Sequence, residues 1–201
     1  NVVDARPAGL TEEEIRETWE HVAEDYAPFN INVTTDLQVY LDAPENSRQR
    51  CLISPGSPIG SGVAKGSFNW TGDVPCWAGY RGSKAGHEVV SHEVGHTMGL
   101  SHDGRTVPAG DTYYDGHGSG ETAWAPIMGN SYYKPLSQWS KGEYLNPSNT
   151  QDDVSKLANN NNNVGYRPDD HGDSLGGASY LEVQADDSVV NEGVIETRAD
   201  F

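Results

Sequence analysis

Apolar residues recur at helical spacing at Ile15, Trp19, Val22, Ala23 and Tyr26, which predicts an amphipathic helix with that stripe in the core. Thr11-Glu12-Glu13-Glu14 opens it as a capping box with acids in the first turn, and Pro28 stops it. The period then shortens. Ile31 to Thr35 alternates as a half-buried strand, and Leu37 to Leu41 is expected to be another. Turn residues across 47–61 surround a short strand at Cys51-Leu52-Ile53. Gly62 to Trp70 reads as a strand whose largest apolar residues are Val63 and Phe68. A turn at 79–83 leads into a second long helix, expected to begin near Lys84 or Ala85. Residues 103–122 are irregular and rich in Gly, Asp and Tyr, and long stretches of that kind inside a compact domain are usually functional. A last helix is expected within 150–158, with Asp152 and Asp153 near its start, and the asparagine run Asn159 to Asn163 reads as a linker.

The second long helix carries the chemistry. Ser91 to Asp103 reads S-H-E-V-G-H-T-M-G-L-S-H-D. His92 and His96 are four residues apart, so they stand on one helix face, one turn above the other. Two imidazoles so placed can reach one zinc ion. Glu93 lies near the same site but is offset from the ligand direction, which suits a general base better than a third ligand. Gly99 falls where a left-handed residue ends a helix, and the turn it permits brings His102 round as a third nitrogen ligand. The expected ion is Zn²⁺, with its fourth position left to water. Val90 and Val94 lie on the opposite face, so apolar packing is expected behind the metal. Asp103 is expected to be a buried carboxylate behind the ligands. His21, His87, His117 and His171 lack ligand spacing and are read as surface or structural residues.

Composition narrows the setting. The chain has 201 residues, enough for one good-sized domain with an appendage. Thirty acidic residues against 13 basic ones give a net charge of -17, which argues against nucleic acid or anionic membrane as partners. Mean hydropathy is -0.67, and no apolar run is long enough to span a bilayer. Cys51 and Cys76, the only cysteines, suit a disulfide in an oxidising compartment. Closing that loop would add about 3 kcal/mol on the chain-entropy account; two buried free thiols are the other reading. A secreted chain is expected, starting after removal of any signal peptide, and a monomer.

His92-Glu93-x-x-His96-x-x-Gly99-x-x-His102-Asp103 resembles the extended zinc motif of the metzincin endopeptidases. Asp103 resembles the adamalysin/reprolysin branch, and Ala125-Pro126-Ile127-Met128-Gly129 resembles the family's Met-turn. The resemblance covers roughly residues 11–157 and implies an α+β fold. Its N-terminal subdomain, to about residue 99, would hold a twisted mixed sheet and two helices. A smaller irregular subdomain over about 100–158 would hold the Met-turn and a final helix. The likeness places Met128 beneath the metal as an apolar base, and makes Gly62, Val63, Ala64 and Lys65 part of an antiparallel edge strand that holds an extended substrate. An ordinary sheet strand is the competing reading of that stretch. Residues 131–139, with Tyr132 and Tyr133, would wall the S1′ pocket. Where astacin-like and serralysin-like members have a tyrosine two residues after the methionine, this chain has Asn130.

The domain organisation expected is a catalytic unit over 1–158, an Asn-rich linker over 159–165 and an extension over 166–201. That extension resembles the opening strands of β-sandwich modules which follow the catalytic domain in secreted bacterial proteases. Within it, Asp169, Asp170 and Asp173 are either calcium ligands or a solvated acidic turn. The function implied is hydrolysis of polypeptides by zinc and water, with Glu93 as the base. A non-proteolytic zinc amidase or deacylase and an inactive binding module are the competing readings.

Overall fold

The Thr11 hydroxyl accepts from the Glu14 amide at 3.2 Å, and the Glu14 carboxylate accepts from the Thr11 amide at 2.8 Å. The capping box therefore starts helix α1 (Glu12–Asp25) where its residue types require. The computed structural model describes residues 6–55, 62–79, 83–172 and 174–193. The apolar stripe of α1 is core only in its second half. Val22 and Tyr26 are buried, whereas Ile15 and Trp19 are each 40% exposed. The reason is that α1 meets its partner helix near its C-terminal end, where Tyr26 donates to the Ser91 carbonyl at 3.0 Å and Ser91 donates to Asp25 at 2.5 Å.

Two expected strands are absent. Residues 31–34 run without regular pairing, though Ile31 and Val33 still pack against the core, and the Val33 carbonyl accepts from the Trp19 indole at 2.8 Å. Leu37 to Leu41 is helical, α2 (Leu37–Asp42). The Asp36 carboxylate accepts from the amides of Gln38 and Val39 at 2.7 and 3.4 Å, and this N-cap commits the segment to a helix. Its alternating apolar residues Leu37, Val39 and Leu41 consequently face solvent.

Strand β1 (Cys51–Ser54) forms as expected, but the strand expected over Gly62 to Trp70 shrinks to β2 (Gly62–Val63). Beyond it the chain turns, and Phe68 is buried with its amide bonded to the Thr97 carbonyl at 2.8 Å. With β3 (Cys76–Gly79) these strands make a mixed sheet in the order β1-β3-β2. β1 runs parallel to β3, and β2 runs antiparallel at the edge. Helix α3 (Ser83–Thr97) packs between this sheet and α1, burying Val89 and Val90.

Register places Cys51 directly opposite Cys76. Both are thiols in the structure, and the neighbouring Cys76 thiol and burial together hold the Cys51 pKa well above its ordinary value. Adjacent positions on paired strands lie within disulfide reach. In an oxidising medium the two are expected to join, so thiol titration under denaturing, non-reducing conditions should find neither free. Two reactive thiols would refute this.

The second half of the chain is held by a parallel pair, β4 (Trp124–Pro126) with β5 (Leu136–Gln138), and by α4 (Asp153–Leu157). The expected last helix is thus present, capped by Asp152 through the Ser155 amide at 3.0 Å. The asparagine run is no slack tether: Asn160–Asn162 is a 3-10 turn. The buried Asn162 amide donates to the carbonyls of Met98, Lys156 and Leu157 at 3.1 to 3.3 Å. Tyr166 and Arg167 then pair with residues 27–31. The fold is α+β, with four α-helices and small mixed sheets among the described residues. Its core joins both halves through Phe29, Val90, Met98, Leu100, Met128 and Leu157.

Candidate metal centre

Helix α3 places the first two histidines of the cluster and the turn after it places the third. Gly99 takes φ +94, the left-handed region that only glycine enters freely. The Leu100 amide then reaches back to the Gly95 carbonyl at 3.1 Å, and the chain reverses. That reversal brings His102 to His96, with their Nε2 atoms 2.9 Å apart. The ligand nitrogens of His92, His96 and His102 lie within 4.8 Å of one another and could hold a metal ion. Among the described residues no other group of three such side chains does so.

The rings are oriented from behind. His92 Nδ1 donates to the Ile127 carbonyl and His96 Nδ1 to the Leu100 carbonyl, both at 2.8 Å. A carbonyl can only accept, so Nδ1 carries the proton and Nε2 presents its lone pair to the centre. Burial depresses all three imidazole pKa values, that of His92 to about 3 with help from the neighbouring His96. Neutral rings are the form that binds a cation.

Glu93 points into the same cleft and is almost wholly buried. Burial alone pushes its pKa up to about 7, the behaviour of a carboxylate stripped of water without a compensating cation. Gly62 of β2 lies flat against it: any side chain there would collide with the Glu93 carboxylate. Gly95 performs the same service between the two helical histidines. A Cβ at that position would sit 2.9 Å from the Met128 sulfur, so the helix can rest directly on Met128, which is fully buried.

Residues 125–129 turn beneath the site and hold it from two sides. Ile127 fixes His92, and the Met128 carbonyl accepts from the Asp103 amide at 2.8 Å. Asp103 is buried, accepts from Asn149 at 3.2 Å, and has its pKa raised to about 7 by burial. It joins the third-ligand turn to the chain near 149. Glu88, one turn before His92 and fully buried, accepts from Ser131, from Ser137 at 2.8 Å and from Lys84 at 3.1 Å. It clamps α3 to the segment leading into β5. The sequence carried no signal for Glu88, because its serine partners lie more than 40 positions away.

The cleft, about 350 Å³, is lined by Gly62, Val63, Ala64, the three histidines, Glu93, Tyr113 and Tyr132. Of the residues assigned to substrate from the sequence, Gly62, Val63, Ala64 and Tyr132 therefore come together at the metal centre. Lys65 and Tyr133 do not: both are exposed outside it, Tyr133 by 84%. Tyr113 was not singled out, yet its ring lies 4.3 Å from that of His102 and 6.2 Å from that of His92. The one available signal was its place in the irregular 103–122 stretch. Away from the cleft, Asp169 caps the His171 amide at 3.0 Å and Asp170 lies near the His171 ring. Asp173 is outside the described residues. His87 stacks on His21, His117 bonds Tyr114, and His171 bonds Ser179, and none of the four lines the cleft.

Comparison with protein-family models, with curated proteins and with solved structures found no match to this chain.

Proposed function

We propose that this chain is a zinc-dependent endopeptidase of the metzincin type, adamalysin/reprolysin-like, that acts outside the cell on extended polypeptides. The observation that carries this reading is the convergence of His92, His96 and His102 in one cleft beside a buried Glu93. Three imidazoles held in their neutral form by burial, two of them oriented by backbone carbonyls, are a donor set that fits Zn²⁺ and leaves a position open. Bound there, the ion supplies a Lewis acid for the scissile carbonyl and acidifies a water molecule.

The chain's own groups supply the rest. Glu93 takes the proton of the attacking water and delivers it to the leaving amine. β2 has one edge on β3 and the other free among the described residues, so a substrate can add as a further strand along Gly62, Val63 and Ala64. Met128 and Gly95 keep the floor apolar and closely packed. No side-chain nucleophile takes part, so no acyl-enzyme accumulates.

The test is metal removal from the full chain with denatured casein as substrate. Chelation should abolish cleavage and added Zn²⁺ should restore it; proteolysis that persists in the metal-free protein would overturn the reading. Activity should also fall on acidification. Glu93 must be ionised, and burial opposes that by holding its pKa near 7, while a bound dication pulls it back down. Protons also compete for the imidazoles as pH falls. Together these place the acid limb at about pH 5–6, and a protein fully active at pH 4 would contradict them.

A further inference from the structure

Tyr113 lines the same cleft as Glu93. The Glu93 carboxylate rests against Gly62 on the β2 side, whereas Tyr113 belongs to the segment following His102 and packs on the His102 ring at 4.3 Å. Its position is fixed from both flanks. On one side the Arg105 amide donates to the Asp111 carbonyl at 2.7 Å, and the Arg105 guanidinium donates to the Asp111 carboxylate at 2.6 Å. On the other, the Tyr114 amide donates to Asp103 at 2.7 Å and the Asn130 amide donates to Tyr114 at 2.9 Å. The Tyr114 ring stacks on Tyr144 with centroids 4.2 Å apart and lies beneath the Arg105 guanidinium at 4.9 Å. A residue held between two such anchors is pre-positioned, which is what stabilisation of a developing charge requires. Yet Tyr113 itself is 46% exposed and makes no side-chain hydrogen bond to the described residues. Tyr113 packs on the rings of His102 and His92, and the Tyr132 ring, also in the cleft, meets Tyr133 at 6.3 Å.

We propose that Tyr113 is a catalytic residue of this site, whose hydroxyl donates a hydrogen bond to the substrate carbonyl oxygen as that oxygen gains negative charge. This rests on the peptidase reading above. The phenol transfers no proton: it donates as the carbonyl becomes tetrahedral and is released when the C–N bond breaks. Glu93 and Tyr113, which line one cleft, then act on the two oxygens of the reacting centre, the attacking water and the carbonyl.

The experiment compares wild type, Tyr113→Phe and Tyr113→Ala in the zinc-loaded full chain. It measures kcat and KM on an extended peptide, zinc content, and affinity for a phosphinic peptide, whose tetrahedral anionic centre resembles the transition state. Tyr113→Phe should keep zinc and KM, lose about 10²-fold in kcat, the low end for one oxyanion donor, and lose phosphinate affinity in step. If Tyr113→Phe matches wild type in kcat and phosphinate affinity while Tyr113→Ala loses zinc, the ring is only a support for His102 and the proposal is overturned. A zinc-loaded wild type that neither cleaves peptide nor binds the phosphinate removes the peptidase reading itself, and this proposal with it.

Discussion

Glu93→Gln should lower peptide-bond hydrolysis by at least about 10²-fold, within the 10²–10⁴ that general-base steps contribute, while zinc content and melting temperature stay near wild type. The amide is nearly isosteric with the carboxylate, so it keeps the contact with Gly62 and leaves the three histidines untouched. It cannot take up the proton of the attacking water and has no charge to bury. Since burial is what raises the Glu93 pKa to about 7, a neutral side chain there removes a desolvation cost, and no loss of stability is expected. The variant separates three classes of function. A binding module loses nothing, because its ligand needs no proton transfer. A small-molecule amidase or deacylase loses turnover, but its wild type cuts no casein. An endopeptidase cuts casein as wild type and fails as Glu93→Gln. Full proteolysis by Glu93→Gln would sink the mechanism.

His96→Ala should reduce bound zinc from one per chain to almost none after dialysis and abolish activity with it. His96 is the middle ligand: it shares helix α3 with His92, and its Nε2 lies 2.9 Å from that of His102. Loss of a partner behind a ligand costs about 10- to 100-fold in metal affinity, and loss of a ligand itself should cost more. Metal analysis of the dialysed protein reads the result directly. His171→Ala is the matched control, because that ring bonds Ser179 and the Glu192 carbonyl away from the cleft; it should keep its zinc. An unchanged stoichiometry in His96→Ala would show that the metal is held elsewhere.

The parts of this protein that were legible in the sequence are those fixed over one or two helical turns. The Thr11–Glu14 box, the i,i+4 spacing of His92 and His96, the left-handed Gly99 and the Asp152 cap all act within a few residues, so the chain spells them out. Local reading failed where a local competitor was underestimated. Alternation from Leu37 to Leu41 suggested a strand, but a single carboxylate at Asp36 satisfied two amides and turned the segment helical. It failed differently at Ile31 to Thr35, where the right residues are half-buried but take up no regular pairing. A strand is completed by a partner, and pairing of that kind is not written in the segment itself.

At the candidate site the division follows the same physics. The three histidines, the glutamate beside the first of them and the turn that returns the third are already written in the chain, because helix geometry and one glycine suffice to bring them together. Tertiary structure alone decided how tightly that centre is held and what surrounds it. The Ile127 carbonyl fixes His92 from 35 positions away, Glu88 finds Ser131 and Ser137 across the fold, and Gly62 and Gly95 leave room for Glu93 and Met128. Tertiary structure also put Tyr113 on the ligand rings and left Tyr133 in solvent. An irregular loop has no period to reveal which of its side chains turns inward; the anchors at Arg105–Asp111 and Tyr114–Tyr144 settle that only once the chain has folded.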